Sequence, residues 1–107
     1  MTLPTQLVLR AFLEKPTQER YGLELGRLAG LESGTIHPIL ARLEATGWVD
    51  SWWEDADPSE QGRPRRRYYR LSTDGAEHAR DALARATARS GAAIHALRPG
   101  LAGGAGA

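Results

Sequence analysis

A mostly helical α+β fold is predicted for this 107-residue chain by three features of its sequence. Three short segments with helical apolar spacing come first. Two aromatic, β-branched or arginine-rich segments then flank a polar loop, and a long alanine-rich segment with heptad-like spacing follows. The order helix, helix, helix, strand, loop, strand, helix is that of a winged helix-turn-helix with an added C-terminal helix.

Each element has its own local reason. Leu3, Leu7, Val8, Ala11 and Phe12 form one helical stripe, so a helix is expected from about Pro4 to Lys15, stopped by Pro16, which has no amide hydrogen. Tyr21, Leu25, Leu28 and Ala29 predict a shorter second helix ending at Gly30, where a left-handed cap suits glycine. Within it Tyr21 reads as a core anchor and Gly22 as a point of tight packing. A third helix is expected from Ser33, as N-cap, to Thr46, with Gly47 closing it. Ile36, Ile39, Leu40 and Leu43 fall on its apolar side, leaving Gly34, His37, Pro38, Ala41, Arg42 and Ala45 on the other. Pro38 lies just beyond the first turn and removes one helical hydrogen bond.

Trp48 to Trp53 suit a strand, Asp55 to Pro64 a polar loop, and Arg66 to Leu71 a second strand with Arg67, Tyr69 and Leu71 on one side. Ser72 or Thr73 can cap a final helix, with Asp74 and Glu77 in its first turn. Ala76, Ala79, Leu83, Ala86, Ser90, Ala93 and Leu97 then step by three and four, a seam suited to a second copy of the chain. Residues 1–72 are thus expected to form the winged helix-turn-helix, 73–98 a dimerisation helix and 99–107 a disordered Gly/Ala tail.

Composition removes several classes of function. The chain has no cysteine, which excludes disulfides, thiol nucleophiles and cysteine-rich metal sites. His78 and His95 are too far apart to form a helical metal pair, and no nucleophile elbow, phosphate-binding glycine loop or carboxylate pair supports catalysis. Neither a metal, a cofactor nor an enzymatic activity is expected. No apolar run approaches the ~20 residues that span a bilayer, and charges interrupt the start where a signal peptide is apolar, so a cytoplasmic protein without a membrane partner is expected.

The net charge of +1 conceals a segregated distribution, because Arg63, Arg65, Arg66, Arg67 and Arg70 follow directly on Glu54, Asp55, Asp57 and Glu60. An arginine-rich hairpin next to a helix-turn-helix points to double-stranded DNA as the partner. Ser33 and Thr35 bring hydroxyls and the positive helix end to a phosphate. Gly34 permits close approach, and His37 and Arg42 are candidate base or phosphate readers beside Pro38. Arg63, Arg65 and Arg66 at the hairpin tip would meet phosphates or the minor groove, while Arg67 and Arg70 belong to the strand. Trp52 and Trp53 point to opposite sides of theirs, so one is exposed or at an interface, and a small aromatic effector is a candidate ligand for them.

The segment YGLELGRLAGLESGTIHPILARLEATGWVDSWWE followed by GRPRRRYYRLSTDGAEHA resembles the PadR family of bacterial transcriptional regulators, over residues 5 to about 85. The resemblance implies a homodimeric repressor joined through its C-terminal helix and often released by phenolic or drug-like ligands. Such a homodimer would present two recognition helices about 34 Å apart, matching inverted-repeat half-sites of operator DNA one duplex turn apart. His37 departs from the family, which commonly has a tyrosine there that contacts DNA. Two other readings stand beside this one: a winged helix that docks an acidic protein, and a sensor of small aromatic ligands with DNA release as output.

Overall fold

The computed structural model describes the backbone of residues 1–97 and the side chains of residues 1–91. The expected tail at 99–107 and the side chains of Ala93 and Leu97 lie outside the described residues.

Helix α1 spans Leu3–Leu13, with Thr2 accepting from the Thr5 amide as its N-cap. It ends two residues before the expected Lys15, well ahead of Pro16. Strand β1 (Arg20–Tyr21) precedes helix α2 (Gly22–Ala29), whose carboxyl end is closed by Gly30 at φ 70°. Helix α3 spans Ser33–Ala45 and strand β2 Val49–Trp53. A one-turn helix, α4 (Pro58–Gln61), interrupts the polar loop, and strand β3 (Arg67–Leu71) and helix α5 (Thr73–Leu97) complete the chain.

The sheet is antiparallel in the order β1-β3-β2. Val49 pairs with Leu71 and Trp53 with Arg67, which fixes the register of the hairpin. The third strand has no signature in the sequence, because a two-residue strand carries no alternation and exists only by pairing Arg20 with Tyr69 and Tyr21 with Tyr68. This pairing also moves Tyr21 out of α2. It is half-buried on the outer face of the sheet, edge-on to Tyr68 at 6.1 Å, and is not the core anchor expected of it.

The core joins Val8, Leu9 and Phe12 of α1 to Leu25 of α2, to Ile36, Ile39, Leu40 and Leu43 of α3, and to Val49, Tyr69 and Leu71 of the hairpin. Burying each of the larger side chains contributes about 1.5–3 kcal/mol. Ala79 of α5 is fully buried in the same cluster, with Ala76 and Leu83 packed against it and Ala82 and Ala86 also buried. The first turns of the seam expected to face a second copy therefore face their own chain. The small side chains of that seam are what let α5 lie close to α1.

Ser72, not Thr73, caps α5, its Oγ accepting from the Gly75 amide at 2.9 Å. Asp74 is in the first turn, and Glu77 falls beyond it. Ser72 also anchors the helix backwards, donating its amide to the Trp48 carbonyl at 2.9 Å and its hydroxyl to the Gly47 carbonyl at 2.8 Å. Trp48 is half-buried with its ring stacked on His78 at 5.5 Å.

Candidate nucleic-acid interface

Helix α3 presents Ser33, Gly34, Thr35, His37, Pro38 and Arg42 to solvent along one exposed face, while its four apolar residues are buried. The expected capping role of Ser33 is corrected: Glu32 is the N-cap, without a side-chain hydrogen bond, and Ser33 is the first helical residue. Its hydroxyl is thus not engaged in capping, and the amides of Ser33 and Gly34 have no helical acceptor, while that of Thr35 donates to the Glu32 carbonyl at 3.0 Å. Pro38 sits inside the helix without ending it. Lacking an N–H, it leaves the carbonyl of Gly34, four residues earlier, without a helical donor. Beyond its chain neighbours and the backbone of its own helix, no atom lies within 4 Å of where a Gly34 side chain would begin, so the backbone here can be approached closely.

The hairpin arginines differ in what holds them. Arg63 grips Glu54 through both terminal nitrogens, at 2.8 and 3.0 Å, and is half-buried. Sequence places it among the DNA contacts, but here it serves the hairpin's own structure, since a guanidinium engaged in a fork with a carboxylate has little left for a phosphate. Arg65 is exposed, with Nε donating to the Ala56 carbonyl at 3.0 Å. Arg66 lies 4.1 Å over the Tyr21 ring. Arg70 lies 5.2 Å over Trp52, which in turn stacks on Tyr68 at 6.3 Å. The outer face of the sheet is thus a row of aromatic rings flanked by two cations, each such contact contributing about 0.5–1 kcal/mol when exposed.

Trp52 and Trp53 point to opposite sides, as strand alternation requires. Trp52 is half-buried in that outer row, whereas Trp53 is 58% exposed beside Arg67. The two indoles do not share a pocket.

Two contacts had no signature in the sequence. Arg67 reaches Glu44 of α3 at 3.3 Å and the Ser51 hydroxyl at 2.7 Å, and Ser51 donates to Glu44. Ser51 and Glu44 lie 16 and 23 positions from Arg67, so no helical or strand spacing links them, yet they tie the hairpin to the last turn of α3. Glu54 is the second. Besides Arg63 it receives the Arg66 amide at 3.4 Å, and its own amide donates to the Arg66 carbonyl at 2.8 Å. The hydrogen bonds from the Arg63 side chain hold the Glu54 carboxyl below its ordinary value of 4.5. The Ser59 hydroxyl and amide do the same for Asp57, the cap of α4.

A depressed carboxylate contributes stability that is present above its ordinary value and is lost as pH falls through the folded value. The hairpin loop is therefore expected to loosen below about pH 4.5 while the helical core persists. Carbon-detected NMR titration should give Glu54 a midpoint under 4.5, and Glu54→Gln should leave the loop equally mobile at pH 6 and pH 4. A Glu54 midpoint at or above the ordinary value would refute the bridge.

A family model for PadR-like transcriptional regulators matches residues 11–81. The chain belongs to the PadR-like family of transcriptional regulators. That is a family of regulators and not of enzymes. No curated protein is detectably similar. Among solved structures, this PadR-like chain is similar to the PcaV transcriptional regulator of Streptomyces coelicolor, solved in complex with its natural ligand, with 26% identity and a TM-score of 0.66. The match covers 91% of this chain but only 62% of that one. A PadR family transcriptional regulator from Eggerthella lenta DSM 2243 aligns with 23% identity over 89% of this chain and 81% of its own, at a TM-score of 0.64. The smu.1704 protein of Streptococcus mutans UA159 aligns with 20% identity over 92% of both chains, at 0.66. These likenesses agree on the winged-helix fold with a C-terminal helix that the element order predicts. Among the described residues no helix is long and apolar enough to cross a membrane, and no cluster of His, Asp or Glu could hold a metal.

Proposed function

We propose that this PadR-like regulator binds operator DNA sequence-specifically as a cytoplasmic homodimer and represses by occluding a promoter. Helix α3 enters the major groove and the hairpin rests on flanking phosphates or in the adjacent minor groove. The observation that carries this reading is the single exposed face of Ser33, Gly34, Thr35, His37, Pro38 and Arg42. Arg67, Glu44 and Ser51 hold that face in register with the arginine hairpin. A helix and a hairpin joined in this way act as one rigid body, so a base contact and a phosphate contact constrain each other.

Within that reading the amides and hydroxyls at the start of α3 meet a phosphate, and His37 and Arg42 reach base edges. Arg65 and Arg66 supply phosphate attraction. The partner contact rests on α5 beyond Ala86, where Ser90 is exposed and the seam continues in sequence to Ala93 and Leu97, since the preceding turns are occupied by the chain's own core.

The test is selection of duplexes from a random pool by the full-length chain, followed by footprinting and solution mass. A mass twice the 11.6 kDa of one chain and two protected half-sites about 34 Å apart are expected. Salt-insensitive binding, or a monomer protecting one site, would overturn the reading.

A further inference from the structure

We propose that Gly22, at the start of α2, is a positioning residue for base discrimination, because the space of its missing side chain seats the imidazole of His37. The inference rests on the DNA-binding reading given above.

Nothing in the backbone requires glycine at this position. Among the described residues the glycines with left-handed φ are Gly30, Gly47 and Gly62, and Gly22 is not among them. It is instead the first residue of a helix, where alanine is the better helix former, by up to ~1 kcal/mol in an interior position. What glycine supplies is room. A methyl built on Gly22 would stand 3.1 Å from Cε1 of His37 and 3.9 Å from both Nδ1 and Nε2. The three nearest atoms all belong to that one ring, which meets α2 through the carbon between its two nitrogens. The separation to Cε1 is tighter than van der Waals contact allows at rest, so the ring must shift by a few tenths of an ångström or change rotamer.

His37 is exposed on the α3 face, with the Cε1 edge of its ring turned to α2. An exposed histidine without such a seat would sample several rotamers and lose that freedom on binding a base. Held against Gly22, the ring is set before DNA arrives, and its nitrogens point in directions decided by the packing of α2 on α3. Discrimination by a hydrogen-bonding reader depends on such placement, because a displaced ring satisfies right and wrong base edges about equally. The same contact accounts for two features at once: a glycine where a helix gains nothing from it, and an exposed side chain that is nonetheless packed.

The experiment is a double-mutant cycle with full-length wild type, Gly22→Ala, His37→Ala and the double variant. Each is measured against duplexes selected by the wild type from a random pool and against an unrelated duplex. For Gly22→Ala, the ratio of selected to unrelated affinity is expected to fall about tenfold. Affinity for the unrelated duplex and its salt slope should stay at the wild-type values and the melting temperature should not fall, since alanine favours the helix; a merely structural role would not allow this. In the His37→Ala background the second substitution is expected to change nothing, since the ring it would displace is gone. An undiminished ratio in Gly22→Ala, or the same loss with and without His37, would overturn the proposal. A wild type that does not discriminate selected from unrelated duplexes would overturn the DNA-binding reading itself, and this proposal with it.

Discussion

Gly75→Ala is expected to destabilise the protein by about 3–5 kcal/mol, enough to lower its melting temperature by roughly ten degrees or more, or to prevent folding. The added methyl would fall on the Trp48 carbonyl oxygen, 2.6 Å from its carbon and 2.7 Å from its Cα. These are backbone atoms, so no side chain can swing aside. Both backbones are also anchored, Trp48 by its amide to the Leu43 carbonyl and α5 by the Ser72 cap and the Ser72 amide to Trp48. Relief requires lifting α5 from the start of β2, which would withdraw Ala79 from the core. The control is the same substitution in the same helix at Gly91, where nothing lies within 4 Å. There alanine should stabilise by about 0.5–1 kcal/mol through helix propensity alone. Thermal melts of the two variants would therefore move in opposite directions. A Gly75→Ala melt within a degree or two of wild type would mean that α5 does not dock on Trp48 as described.

The second large effect concerns DNA. In the Arg65→Ala, Arg66→Ala double variant, the slope of log affinity against log salt is expected to fall by about 0.9 for each phosphate no longer neutralised, or nearly two for each protomer. Affinity near physiological salt should drop by about 10- to 100-fold, and by the same factor for selected and unrelated duplexes, because phosphate contacts carry no sequence information. These two arginines are the appropriate pair because Arg63 and Arg67 are already committed to Glu54 and Glu44. Arg66→Ala also removes the cation over Tyr21, so its melting curve should be checked beside Arg65→Ala alone. Unchanged affinity and slope in the double variant would remove the hairpin from the interface.

The two experiments separate stability from recognition. Gly75 acts through the joint between hairpin and α5, far in sequence from any candidate reader. Arg65 and Arg66 act at the surface, and neither belongs to the hydrophobic core. Between them lies the Glu44, Ser51 and Arg67 junction, where a change in the hairpin would be felt by α3 directly.

Much of the molecule was legible in the sequence because its signals are local. The helical stripes at Leu3 to Phe12 and Ile36 to Leu43, the alternation of Arg67 to Leu71 and the glycine cap at Gly30 depend on periods of 3.6 and 2 and on short-range sterics. They predicted the order of the elements other than β1 and α4, the buried side of α3 and, through motif resemblance, the regulator family. The exposed face from Ser33 to Arg42 follows from the same periodicity, since burying Ile36, Ile39, Leu40 and Leu43 turns the intervening residues outward.

What only the tertiary structure decided are pairings between residues distant in sequence. A row of five hairpin arginines looks uniform as a string, yet each meets a different partner in space: Glu54, the Ala56 carbonyl, Tyr21, Glu44 with Ser51, or Trp52. The alanine seam of α5 has a period that suits a second copy or the chain's own core equally well, and α1 and the hairpin take its first turns because they are already tethered to it. Periodicity specifies which side of an element is apolar, but not what will cover it. That depends on where the rest of the chain lies once folded.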